Sequence, residues 1–168
     1  MKNAAYRDHA SIWSSHGGGF TLVEIMIVVG IIAILAALAI PAFMKARQES
    51  YINIARSDLQ MLAAAIERLA YDTGQWPGGI AYDDHSSPET WDLSGGDAGI
   101  MANDGRFTNN WNGPYMKSMP TDPWGTNYFF DNDYTIGSVT TNSVVGSFGP
   151  NRVGRNLYDS DDIYVKID

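Results

Sequence analysis

The feature that most constrains this chain is a stretch of nineteen residues, 25–43, reading IMIVVGIIAILAALAIPAF, with no charged side chain. At about 1.5 Å rise per residue it makes roughly 28 Å of helix, close to the hydrocarbon thickness of a bilayer. A cleaved secretory signal fits poorly, because such a signal places its small residues after a shorter apolar region. Here Gly17, Gly18 and Gly19 precede it. A buried helix of a soluble domain fits poorly as well: a chain of 168 residues has little with which to cover an apolar cylinder on every side. The stretch reads as a membrane-spanning helix.

Glu24 sits at the edge of that run, where a carboxylate in hydrocarbon costs on the order of 2.5–3.5 kcal/mol. It either reaches back to the headgroups or finds a cationic partner within a protein assembly. A cut after Gly19 would create an α-amino group on Phe20, four residues before Glu24 on the same helix. One subunit's Glu24 could then pair with a neighbour's Phe20 amine and set axial register in a polymer.

The segment GGGFTLVEIMIVVGIIAILAALAIPAF resembles the class III signal of type IV pilins and type II secretion pseudopilins, at Gly19, Phe20, Thr21, Leu22, Glu24 and Pro41. The resemblance implies cleavage between Gly19 and Phe20 by a prepilin peptidase, N-methylation of Phe20 and a register role for Glu24. It also implies a single-pass subunit of the bacterial inner membrane with its C-terminal domain in the periplasm. The lipid bilayer holds that subunit before assembly. The implied partners are further copies of the chain in a helical filament, minor pseudopilins and an inner-membrane assembly platform. The leader, residues 1–19, departs from many relatives by placing His16 and glycines where a basic residue precedes the cut.

Beyond the run the sequence is polar, Gly-rich and acidic, and the chain has a net charge of −8. A duplex-binding surface needs clustered Lys and Arg to displace counterions, and after Tyr51 the basic residues are scattered singly, so nucleic acid is not an expected partner. There is no cysteine, which excludes disulfides, thiolate zinc sites and Cys nucleophiles. Of three histidines, His9 and His16 lie in the leader, leaving His85 without an evident orienting framework for catalysis. The chain is read as a structural protein rather than an enzyme.

Helical periodicity continues past the membrane half, residues 20–50. Ile52, Ala55, Leu59, Leu62, Ile66 and Leu69 recur at steps of three and four, a core-facing stripe. Gly74 supplies a stop after Thr73. One helix from Phe20 to about Thr73 follows, with a kink or local melting expected near Ile40, because Pro41 removes a backbone hydrogen bond. In the resembled family this region can unwind on assembly, which gives Pro41 an assembly role.

Residues 51–168 form the expected extracytoplasmic domain: helix 51–73, a connection over 74–114, and a short sheet with a C-terminal loop over 115–168. The connection is Gly- and Asp-rich and reads as irregular, pinned by Trp76, Tyr82, Trp91 and Trp111. Asp83, Asp84 and His85 within it read as a solvated turn. Strands are expected at 128–130, 139–148 and 163–167, with Asp131-Asn132-Asp133 as a hairpin turn. The fold class is α+β: a pilin-like arrangement of a long N-terminal helix packed on a small antiparallel sheet.

Two further segments separate the possible filaments. YMKSMPTDPWGTNYFF, residues 115–130, resembles the LPxDPWGxxY signature of type II secretion major pseudopilins at Pro120, Asp122, Pro123, Trp124, Gly125 and Tyr128. Physically, Pro-Trp-Gly is a rigid turn carrying an aromatic plug. The stretch Ser147-Phe148-Gly149-Pro150-Asn151 through Asp161-Asp162-Ile163 is similar to that family's SxGPD…DDI loop, which binds calcium. The resemblance implies a calcium site built from the Phe148 carbonyl, Asn151, Asp161 and Asp162, with Ser147 or Asp159 nearby. Asn151 stands where the family has Asp, and the lost charge predicts weaker affinity. The expected function is a subunit of the short periplasmic pseudopilus that drives type II secretion. A type IV pilus subunit, major or minor, is the alternative within that class, and adhesion through a Trp-rich loop is a reading of another class.

Overall fold

The computed structural model describes residues 19–85, 89–108, 110–137, 140–155 and 158–167. The expected leader therefore lies outside the described residues except for Gly19. The elements are α1 (Leu22–Thr73), β1 (Gln75–Trp76), β2 (Ile80–Ala81), β3 (Phe129–Ile136), β4 (Thr140–Ser147) and β5 (Ile163–Lys166). Two compact units are present, Met1–Phe43 and Met44–Asp168.

In the first unit α1 opens on a reciprocal cap. The Glu24 amide donates to Thr21 Oγ1 at 3.2 Å, and the Thr21 amide and hydroxyl both donate to Glu24 Oε2 at 2.8 Å. This T-x-x-E box satisfies amide groups that a helix start leaves orphaned. None of residues 22–43 is buried, and large apolar side chains are exposed all round the helix, from Phe20 at 83% to Phe43 at 70%. The expected melting near Ile40 is absent, for α1 runs unbroken through Pro41. One missing hydrogen bond is outweighed by cooperative propagation from both sides, through a stretch rich in strongly helix-forming alanine.

In the second unit the stripe is the core. Ala55, Leu59, Leu62, Ile66 and Leu69 are buried, with Ala63, Ala65 and Ala70 beside them and Ile52 packed at the margin. The helix stops where Gly74 turns left-handed at φ +71° and its amide bonds to Ala70 at 2.8 Å.

The sheet β3-β4-β5 is antiparallel throughout. Phe130, Val145 and Ile163 join the helix-side core, whereas Phe129, Tyr134, Val144 and Phe148 form a second cluster with Trp91. Strand alternation explains the division: Phe129 and Phe130 point to opposite faces. Asp131-Asn132-Asp133 is not a turn. It lies inside β3, where pairing shifts register between Asp131 and Tyr134. The buried aromatics on either side hold the strand in place, and a bulge absorbs the polar triplet. The chain turns instead from Gly137, at φ +74°.

The described part of residues 74–114 holds more regular structure than the sequence implies. β1 and β2 pair through Gln75↔Ala81 and Trp76↔Ile80, and Leu93, Ala98, Ile100 and Phe107 are buried in the core. Of the aromatic anchors Trp76 is buried and stacks on the exposed Tyr82 with centroids 4.6 Å apart, while the half-buried Trp111 donates from Nε1 to the Gly99 carbonyl at 2.7 Å.

Candidate functional site

Three places carry the expected chemistry. The first is the start of α1. Phe20 is exposed, and the Glu24 carboxylate is occupied by its own Thr21. Thr21 is thus a participant whose role the assembly reading overlooked, although the T-x-x-E spacing announces it.

The second is the turn Asp122-Pro123-Trp124-Gly125. Asp122 is buried, and its Oδ1 accepts the amides of Trp124 at 3.2 Å and Thr126 at 2.6 Å. Its Oδ2 accepts the hydroxyls of Thr126 and Ser147, both at 2.6 Å. Four donors on one carboxylate balance the cost of burying its charge. Trp124 plugs the turn edge-on against Tyr51 of α1, centroids 6.1 Å apart.

The third is the C-terminal loop, and Ser147 links it to the second. Ser147 Oγ also accepts the Gly149 amide at 3.1 Å, so the DPWG turn is tied to the point where the loop leaves β4. Gly149 sits at φ +63°, and a Cβ there would lie 2.1 Å from the Asp161 carbonyl oxygen, so the two limbs of the loop meet in van der Waals contact. Asn151 joins the acids: its amide nitrogen donates to Asp161 Oδ1 at 2.7 Å and Asp159 Oδ2 at 2.9 Å, and its backbone amide to Asp161 Oδ2 at 3.0 Å.

Asp162 points the other way, into the fold. Its Oδ2 accepts the Tyr134 hydroxyl in a short hydrogen bond and the Asp159 amide at 2.9 Å, and Oδ1 is buried without a partner. Burial pushes its carboxyl above the usual range, against the lowering effect of the Tyr134 bond. Phe148 stacks on Phe129, centroids 4.5 Å apart, fixing the residue that opens the loop. Asn151 and Asp161 are thus brought together directly, with Asp159 bonded to the same Asn151 amide, while Asp162 lies on the inner side of the same loop.

Pairings distant in sequence hold the domain to α1. The Tyr128 hydroxyl donates to Asp58 at 2.9 Å and the Tyr115 hydroxyl to Asp72 at 3.2 Å. His85 is exposed in the turn after β2.

A long helix whose first part is apolar on every side, and whose second part is cored against a small antiparallel sheet, defines a membrane-anchored subunit of the pilin-like class. Residues 42–161 match the family described as Type II secretion system (T2SS), protein G, and residues 15–40 match the prokaryotic N-terminal methylation motif. Type II secretion system core protein G of Pseudomonas aeruginosa is 34% identical over 118 residues, covering 66% of this chain and 70% of the relative. Its counterpart in Dickeya chrysanthemi is 27% identical over 150 residues, covering 86% and 82%. Among solved structures, the major pseudopilin of the type 2 secretion system of enterohaemorrhagic Escherichia coli is similar with a TM-score of 0.48 and 21% identity, over 72% of this chain and 90% of that one. The chain belongs to the type II secretion system protein G family. It is a structural subunit of a type II secretion pseudopilus.

Proposed function

We propose that the chain is cut between Gly19 and Phe20 by a prepilin peptidase, that Phe20 is then N-methylated, and that the mature subunit waits in the inner membrane with residues 51–168 in the periplasm. From there it is drawn into the filament on an assembly platform, alongside minor pseudopilins. The observation that carries this reading is the apolar face of α1, exposed on all sides over residues 22–43. Such a helix is stable only in lipid or against other apolar helices, and a polymer of like subunits supplies the second environment. Within it the new Phe20 amine and Glu24 are the charged groups that fix axial register, and Pro41 is the point at which α1 gives way during packing.

The C-terminal loop is proposed to hold calcium through the Phe148 carbonyl, Asn151, Asp161 and Asp162. The partnerless buried Oδ1 of Asp162 and the convergence of Asp159 and Asp161 on Asn151 support that donor set, since calcium takes hard oxygens from carboxylates, amides and carbonyls. Turning the Asn151 amide by half a rotation would offer Oδ1 in place of the nitrogen, at the cost of its bond from the Val153 amide. Bound there, the ion would supply positive charge that clamps the loop in a chain without cysteine.

Co-expression with a prepilin peptidase tests the processing step. Intact-mass analysis is expected to lose residues 1–19 and gain one methyl group, and Gly19→Val is expected to leave the precursor uncut. A wild-type chain that keeps its leader beside an active peptidase would refute the assignment.

A further inference from the structure

A second acidic cluster lies outside the C-terminal loop. Thr90 and Phe130 exchange a pair of backbone hydrogen bonds, each 2.8 Å, in an antiparallel bridge. In that register Glu89, one residue before Thr90, comes opposite Asp131, one residue after Phe130. Asp133 follows within the bulge of β3, which brings its carboxylate back toward that of Asp131. The result is three carboxylates with one oxygen each, all within 4.8 Å of one another.

Asp131 makes the arrangement more than a solvated acidic patch. It is fully buried at 0% exposure. Its Oδ1 accepts the Asp133 amide at 3.0 Å, while Oδ2 has no hydrogen-bond partner. The neighbouring Asn132 is also buried, with its Oδ1 unpartnered and its amide nitrogen donating to the Asp84 carbonyl at 2.5 Å. A buried carboxylate that has one oxygen without a donor and is clustered with two more carboxylates is costly unless a cation or a proton joins them.

We propose that Glu89, Asp131 and Asp133 form a binding site for a hard divalent cation of the calcium type, separate from the C-terminal loop. Calcium–oxygen distances of about 2.3–2.6 Å place ligand oxygens up to roughly 5 Å apart across the ion, which accommodates the observed spread. The ion would fasten Glu89 to the bulge of β3. Burial first, then Asp133 and Glu89, push the Asp131 carboxyl up to about 7, so near neutrality cation and proton compete for the cluster.

Equilibrium dialysis of calcium against the full chain in detergent micelles at pH 8 tests the site. The comparison uses the wild type, a Glu89→Gln/Asp133→Asn variant and an Asp161→Asn/Asp162→Asn variant. Asp131 is left in place so that β3 keeps its buried side chain, and circular dichroism verifies folding. Glu89→Gln alone, at a half-buried position, is the milder variant should the pair misfold. The expected result is one ion fewer per chain in the Glu89→Gln/Asp133→Asn variant and one ion retained in the Asp161→Asn/Asp162→Asn variant. Unchanged calcium binding in the former, or complete loss in a folded form of the latter, would overturn the proposal. Failure of the C-terminal loop reads differently, as unchanged binding in the Asp161→Asn/Asp162→Asn variant.

Discussion

The Asp122 carboxylate and the Ser147 hydroxyl meet at 2.6 Å in the interior of the domain, joining the DPWG turn to the last residue of β4. Two segments twenty-five residues apart are thereby held as one unit, because Asp122 accepts three more donors from its own turn. Asp122→Ala removes all of them and strands the buried hydroxyl of Ser147. Hydrogen bonds to a charged group are worth about 1.5–3 kcal/mol each but do not add, and a loss of about 3 kcal/mol is expected. Ser147→Ala should cost about 1 kcal/mol. Thermal unfolding of the two variants checks the ranking, and a smaller effect for Asp122→Ala than for Ser147→Ala would contradict it.

Tyr128 and Asp58 make the domain sensitive to alkali. Burial, and then the bond to Asp58, hold the Tyr128 hydroxyl above its usual range, and Tyr134 is raised the same way by burial and Asp162. The unfolded chain loses these protons from about pH 10 while the folded chain retains them. Their stabilisation is therefore complete below that pH and is lost as pH rises toward the folded-state values. Tyr128→Phe is expected to cost about 1 kcal/mol at neutral pH and to shallow the decline in melting temperature above about pH 10. An unaltered alkaline slope would count against the coupling.

What the sequence revealed follows from what is local. The apolar run, the stripe from Ile52 to Leu69 and the stop at Gly74 are periodic or conformational signals, and each corresponds to a feature of the fold. The Asp131-Asn132-Asp133 triplet misleads because its composition is that of a turn, while burial of Phe129, Phe130 and Tyr134 keeps it in a strand. The bonds Tyr128–Asp58 and Asp122–Ser147, and the meeting of Glu89 with Asp131, depend on tertiary approach and leave no mark on local pattern. In the C-terminal loop the acids were visible, but the inward turn of Asp162 toward Tyr134 was not.

Calcium removal should weaken the domain. An ion present at a hundredfold excess over its Kd stabilises the state that binds it by about 2.7 kcal/mol. Chelation of the full chain in micelles is expected to lower its melting temperature, with readdition restoring it. Asp161→Asn/Asp162→Asn should blunt that response. An identical response in that variant would remove the C-terminal loop from the account.

Glu24 serves two partners, and one substitution separates them. Within the chain it caps α1 through Thr21, and in the filament it is proposed to meet a neighbour's Phe20 amine. Glutamine at the third helical position also completes a capping box but carries no charge. Glu24→Gln should therefore keep the start of α1 and the membrane insertion of the chain while losing filament assembly. Glu24→Ala should lose the carboxylate half of the cap as well as assembly, leaving the bond from the residue 24 amide to Thr21. Counting sheared filaments by electron microscopy, with the membrane fraction as the control for insertion, distinguishes the two roles. Normal filaments from Glu24→Gln would assign the residue to capping and leave axial register to some other contact.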